Sequence, residues 1–439
     1  MPRTEPRPAR SASTAPAVDV VAVRMGYGHL RPAHALASAA GVAVMEADGA
    51  SLTGVPDRLL WHGSRWIYEG LSRLSGIPVG GTPAARVLAA LTRIPPRDAH
   101  EDLSRPDVGS RALATAIRLG FGRRTADYLR RRNTTLVATF YAPAHAAAAR
   151  GHPAVMLVVT DTDVARVWVE NDPAQGSVVY CVPTESTGSR LLRYGVPPRR
   201  IRVTGFPLPQ PLANEEAAEA NLASRCRRLR GEDGPVHLAL AIGGAGAQAG
   251  LALEVAGALL PLVSSGRLRI TLVAGTRGEV ARRFERAVRT WRNQVHVPPR
   301  SVQVLFERRP EELFERFDRL LAGTDLLWTK PSELVFFAAL GLPLILAPAV
   351  GAQEEANRSW LLHVGAGMDQ PSPEAMLSWL GVSLESGAFL EAARRGFSRV
   401  PRDGTRRVLA EAERLRQEGS REGKRPGGAS AVFTDPAVR

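Results

Sequence analysis

The chain has 439 residues, 44% of them hydrophobic, and a formal net charge of +14. That length allows two or three domains with proper cores, while two cysteines, Cys181 and Cys226, exclude a disulfide-stapled scaffold and fit a reducing, cytoplasmic compartment. The positive balance suits nucleic acid, an anionic membrane or nucleotide phosphates, although lysine occurs only at 330 and 424 and arginine carries the surplus.

Residues 1–17, rich in Pro, Ala, Ser, Thr and Arg without an apolar run, read as a disordered leader rather than a signal peptide. VDVVAVR (18–24) predicts a buried strand, MGYGHLRPAHALASAAG (25–41) a turn and an Ala-rich helix, and VAVMEA (42–47) a second strand. Gly26 and Gly28 form a turn at which backbone can approach a ligand or only bend tightly, and His29 stands in the first helical turn.

Residues 50–132 are the least regular and most basic part. WHGSRWIYEGLSRLSGIPVGG (61–81) mixes aromatic residues with Arg65 and Arg73, and RALATAIRLGFGRRTADYLRRRN (111–133) reads as one or two basic amphipathic helices. Such surfaces are solvated faces over a core or contacts with an anionic membrane surface. LVATF (136–140) is a strand followed by a Tyr141-Ala142-Pro143 turn, and AVMLVVT (154–160) is another strand. Asp161-Thr162-Asp163 has the spacing of a metal-binding DxD, but that pair lies in the half away from the phosphate-like loops, so no metal site is expected. In YCVPTESTGSRLLRYGVPPRRIRVTGFPL (180–208) a strand meets a capped helix ended by Gly195, and a strand returns. The Pro-rich and then polar segment 209–234 reads as a connector between domains.

The second half opens with VHLALAIGGAGAQAGLALEVAGALL (236–260), a strand running through Gly243, Gly244 and Gly246 into a helix. Small residues there let backbone N–H groups and a helix N-terminus approach a phosphate. Ala249 breaks the GxGxxG spacing, and no acidic residue follows about 20 positions on as dinucleotide binding requires. LRITLVAG (268–275) and SVQVLFERRPEEL (301–313) continue the strand–helix alternation. TDLLWT (324–329) is a buried strand, Lys330-Pro331-Ser332 a turn in which Ser332 caps a helix from Glu333 to Gly341, and LPLILAP (342–348) a further strand. A polar loop then carries Gln353, Glu354 and Glu355 before a helix from about Asn357. Residues 403–418 form a last amphipathic helix and 419–439 a disordered tail. The uncharged run 334–352 and the apolar run 236–263 are interrupted by proline or glycine, so no transmembrane helix is expected.

These motifs bear a resemblance. VTD with Trp168 (159–168), VPTESTGSRLLRYGVPPRRIRVTGFP (182–207), TKPSEL (329–334) and GLP with GAQEEAN (351–357) resemble the lipid glycosyltransferases of GT-B fold. Within them the nearest likeness is to monogalactosyldiacylglycerol synthases and processive diacylglycerol glucosyltransferases, and more distantly to the peptidoglycan-precursor N-acetylglucosaminyltransferase. The resemblance implies an α/β fold of two Rossmann-like domains facing each other across a cleft, an acceptor domain at 18–208 and a donor domain at 235–402. It implies an inverting, metal-independent hexosyltransferase that uses a nucleotide-sugar, expected to be a UDP-sugar, as substrate without a cofactor. The acceptor is a lipid or a soluble hydroxyl, in glycolipid biosynthesis at the inner membrane face or in the cytoplasm. No nucleic-acid partner is expected.

By the same resemblance Gly243, Gly244 and Gly246 hold the diphosphate, with Lys330 and Ser332 beside it, and Phe306 and Arg308 lie near the base. Gln353 and Glu354 meet the sugar hydroxyls, and Gly26 and Gly28 approach the acceptor or phosphate. His29 is the favoured general base and Asp161 the alternative or the group that orients it. Two departures stand out. TKPSEL is shorter than its counterpart, so the ribose-binding glutamate falls on Phe336 counting back from Gly341 and on Glu333 counting forward from Lys330; Glu333 is the one that can accept a hydrogen bond. A histidine of the pattern is replaced by Ala165. A nucleotide-sugar 2-epimerase and a non-catalytic nucleotide-sugar binding protein are the rival readings.

Overall fold

The structure is a computed structural model that describes residues 18–49, 53, 54, 57, 61, 93–96, 102–244 and 246–422. Among the described residues, short runs of β-branched and aliphatic residues form two six-stranded sheets in which every pairing is parallel. The first contains β1 (Val18–Ala22), β2 (Val44–Glu46), β3 (Thr135–Ala138), β4 (Val155–Val158), β5 (Val179–Val182) and β6 (Ile201–Val203), in the order β2-β1-β3-β4-β5-β6. The second contains β7 (Val236–Ala241), β8 (Leu268–Gly275), β9 (Val302–Phe306), β10 (Leu326–Thr329), β11 (Leu344–Leu346) and β12 (Gly367–Asp369), in the order β12-β11-β10-β7-β8-β9. Strands β1, β3, β4, β5, β10 and β11 are buried along their whole length, as strands covered on both faces must be.

Each order reverses once, between β1 and β3 in the first sheet and between β7 and β10 in the second. Those are the topological switch points, where successive connections leave on opposite faces and open a crevice at the carboxyl ends of the strands. The second order is that of the dinucleotide-binding fold. Two such sheets, with one apolar cluster running from Val18 and Leu36 through Phe206 to Phe336 and Val408, define the α/β, GT-B arrangement.

Two helices carry the chain between the two units. Residues 209–234, expected as a polar connector, carry the helices Gln210–Ala213 and Glu215–Leu229. Arg225 of the longer one is 1% exposed and donates to the carbonyls of Thr324 (2.8 Å), Leu340 (2.9 Å) and Gly341 (3.1 Å), which fastens this helix to the second sheet. The last helix, Gly404–Glu422, crosses back to the first sheet and runs to Glu422, past the expected end at 418. There Thr135 Oγ1 donates to the Ala412 carbonyl at 2.9 Å and Arg202 Nε to Glu411 at 2.9 Å. A Cβ at Gly404 would lie 2.2 Å from the Phe206 carbonyl oxygen, so the crossing requires glycine.

Local differences from expectation have local causes. Tyr141-Ala142-Pro143 begins a helix, Tyr141–Ala149, because proline is tolerated in a first turn. The segment Glu333–Leu340 is a 3-10 helix without a side-chain cap from Ser332, and it stops at Gly341 (φ 66). Its eight residues are all buried, so packing sets its geometry in place of an amphipathic α-period. Gln353, Glu354 and Glu355 lie in the first turn of the helix Ala352–Val364, not in a preceding loop. The basic segment forms two helices, Val108–Arg118 and Arg123–Arg132. The expected leader and most of the expected tail lie outside the described residues.

Candidate active site

The chain segments that leave both switch points meet around one cleft of about 340 Å³. After β1 come Met25 to His29, after β3 Phe140 and Tyr141, after β7 Ile242 to Gly244, and after β10 Lys330 to Leu334, and all four segments line it.

On the first-domain side His29 sits in the opening turn of the helix Tyr27–Ala40. Its carbonyl accepts from Thr139 Oγ1 at 2.7 Å and its Nδ1 lies 3.3 Å from Thr160 Oγ1. Its ring meets Phe140 edge-on at 4.9 Å and lies 5.9 Å from Trp168. Burial against these rings pulls the imidazole down to about 4, so it is neutral at neutral pH. Asp161 follows β4, and burial pushes its carboxyl up to about 6; Glu333 and Glu354 add to this, while a hydrogen bond from Asn357 and the charge of Lys330 oppose it. The hydrogen-bond partner of the imidazole is therefore Thr160, and Asp161 accepts instead from Asn357 Nδ2 at 2.8 Å.

On the second-domain side Lys330 lies across the glycine loop: a Cβ at Gly243 would be 2.6 Å from Lys330 Cε. The Lys330 ammonium is paired with Glu354, which also accepts from the Val350 N–H at 2.9 Å. Glu333 is 5% exposed and accepts from Arg31 Nε at 3.4 Å. Tyr27 crosses the cleft as well, its hydroxyl accepting from the Thr276 N–H at 2.8 Å. At Gly275 (φ 67) a Cβ would lie 2.6 Å from that hydroxyl, which only glycine permits.

Of the residues singled out in the sequence, Gly26, Gly28, His29 and Asp161 reach this cleft from the first domain. Gly243, Gly244, Lys330, Ser332, Glu333, Gln353 and Glu354 reach it from the second. Gly246, Phe306 and Arg308 are not among its lining residues: Gly246 (φ 72) turns the chain towards the helix Ala249–Ala258, Phe306 ends β9, and Arg308 is exposed. Phe336 is core, stacked on Phe206 at 4.6 Å, so of the two candidate ribose positions Glu333 is the one that reaches the cleft. Ala165 also lines the cleft. The two DxD carboxylates diverge, since Asp163 turns inward to Arg190 at 2.8 and 2.9 Å. Among the described residues no group of three or more His, Cys, Asp or Glu side chains is gathered as a metal requires.

Sequence reasoning missed Tyr27, Arg31 and Asn357, which join the domains, and an apolar wall of Ala112, Leu113, Phe140, Tyr141 and Val167 beside Trp168. An arginine between Leu30 and Pro32 in an alanine-rich helix was the available signal for Arg31. Trp61, expected at a membrane surface, is 7% exposed and packs on Phe121 (5.0 Å) and Phe140 (6.2 Å). The other aromatic residues of 61–81 lie outside the described residues. Among the described residues no helix is long and apolar enough to cross a membrane.

Residues 196–368 match the model of a domain of unknown function, DUF6938. No curated protein matches the chain. Among solved structures the chain is similar to a UDP-GlcNAc 2-epimerase from Neisseria meningitidis bound to UDP-GlcNAc (12% identity, 90% of this chain and 98% of that one, TM-score 0.48). It is also similar to the glycosyltransferase SnogD from Streptomyces nogalater (16%, 90% and 99%, 0.43) and to a glycosyltransferase from Rickettsia africae ESF-5 (11%, 80% and 94%, 0.40).

Proposed function

We propose that this chain transfers a sugar from a UDP-sugar to an acceptor hydroxyl in the cleft between its two domains. The observation that carries the reading is the meeting of both switch-point crevices in one cleft, with a glycine turn and a cation on one side and titratable groups on the other. The N–H groups of Gly243 and Gly244 and the Lys330 ammonium would take the diphosphate, Glu333 the ribose, and Gln353 and Glu354 the sugar hydroxyls. Asp161 would accept the acceptor's proton as the acceptor oxygen bonds to the anomeric carbon. The bond from that carbon to the phosphate oxygen breaks, and UDP leaves with the electron pair. A carboxyl near 6 is better matched to neutral pH than an imidazole near 4, so we assign the base to Asp161 and leave His29 to hydrogen-bond the reacting oxygens.

The apolar wall from Leu113 to Trp168 favours transfer over epimerisation, because a sugar nucleotide acted on alone has no use for it. It suits the apolar part of an acceptor such as a lipid. The basic helices beside it, with Leu119 85% exposed, suit an anionic membrane surface. Epimerisation is the second reading, favoured by the three carboxylates of Asp161, Glu333 and Glu354 around the cleft. Incubation with labelled UDP-sugars and amphiphilic alcohols separates the readings: a glycosylated alcohol supports transfer, and an epimerised sugar nucleotide without acceptor dependence overturns it.

A further inference from the structure

Asn357 is 1% exposed and uses its whole carboxamide. Its Nδ2 donates to Asp161 Oδ1 at 2.8 Å and to the Pro331 carbonyl at 3.3 Å, and its Oδ1 accepts from the Thr162 N–H at 2.9 Å and from Thr162 Oγ1 at 3.0 Å. Pro331 follows the proposed phosphate-binding Lys330, whereas Asp161 and Thr162 follow β4 of the other domain. One side chain thus spans the two halves of the cleft with no donor or acceptor left over.

We propose that Asn357 is a positioning residue that ties closure of the donor domain to an ionised, correctly aimed Asp161. The proposal rests on Asp161 being the proton acceptor. A carboxamide N–H donated to a carboxylate favours its charged form, and the two bonds to Thr162 fix the segment that aims it. Three other charged groups bear on Asp161: Glu333 and Lys330 on the turn after β10, and Glu354 on the helix Ala352–Val364. The two carboxylates favour a protonated Asp161 and the ammonium an ionised one. Asn357 is the neutral group that holds the balance towards ionisation only while the domains are together.

The test is a carboxyl NMR titration of Asp161, assigned by its loss in Asp161→Asn, run with amide exchange at Thr162 and pH profiles of kcat/KM. Asn357→Ala should raise the Asp161 titration, strip protection from the Thr162 amide and move the acid limb of kcat/KM to higher pH. Asn357→Asp keeps an acceptor for Thr162 but faces Asp161 with a second carboxylate, so Thr162 should stay protected while the titration rises further. An Asp161 titration unchanged in both variants would overturn the proposal, and a merely structural role gives that result. If no sugar is transferred under any condition, the titration and exchange still read the coupling. The reading of the chemistry and the reading of Asn357 therefore fail separately.

Discussion

Arg31 of the first domain reaches Glu333 of the second, its Nε 3.4 Å from Oε1, with the guanidinium held 4.6 Å from the Phe314 ring and 4.7 Å from that of Phe317. Both members are nearly dry, at 4% and 5% exposure, and Asp318 stands 3.9 Å from Arg31 Nη1. This ion pair bolts the domains together next to the proposed ribose site.

Removing one partner of a buried pair leaves a charge without compensation and costs about 3–5 kcal/mol. Because Asp318 remains near Arg31, Glu333→Gln should fall at the low end, about 3 kcal/mol, in urea unfolding, and should also weaken UDP binding. Wild-type stability in Glu333→Gln would show that the pair contributes nothing to domain docking.

The proton affinities separate the two candidate bases. Asp161 must be ionised to accept a proton, and its carboxyl, raised by burial to about 6, is protonated below that pH. The acid limb of kcat/KM should therefore lie near 6, and Asp161→Asn should lose about 10²–10⁴-fold in turnover with UDP affinity retained. An acid limb near 4, with His29→Ala the more damaging change, would transfer the role to His29.

His145 gives a prediction about stability that does not involve the chemistry. It is 7% exposed, and burial pulls its imidazole from the ordinary value of 6.5 down to about 4. With the folded value below the unfolded one, its contribution is present above pH 6.5 and is lost as the pH falls towards 4. Between about pH 7 and about pH 5 the stability of wild type relative to His145→Leu should fall by about 2 kcal/mol. Asp161 and Asp318, raised by burial, are common to both proteins and cancel in the difference. A gap that does not change with pH would contradict the buried, neutral histidine.

Trp61 is a core residue, so Trp61→Ala should cost about 3–5 kcal/mol in stability. Binding to anionic vesicles through the basic helices should fall with added salt and with Leu119→Asp. Loss of binding in a stably folded Trp61→Ala with Leu119→Asp unaffected would reverse this assignment.

With the resemblance, which implied two Rossmann-like domains, the alternation of apolar runs with capped or glycine-ended helices was enough to read two parallel sheets, since such strands announce burial on both faces. It also placed the glycine and Lys330 turns at strand ends, and with them most of the cleft. Three things were not legible. The 3-10 geometry of Glu333–Leu340 is set by packing on every side, which erases the period that marks a helix. The helix in 215–229 is held by Arg225 through carbonyls about 100 residues away in sequence, so its composition alone suggested a connector. The contacts of Tyr27, Arg31 and Asn357 join residues from opposite domains, and no local pattern marks a side chain whose partner lies in the other sheet.

The most direct test of a nucleotide-sugar cleft is calorimetric titration of UDP and UDP-sugars into the wild-type chain and into Lys330→Met, with NAD as the control. A nucleotide-sugar cleft requires saturable binding at one site per chain for UDP, at least tenfold weaker in Lys330→Met, and none for NAD. Binding of NAD with no binding of UDP or of any sugar nucleotide would contradict it.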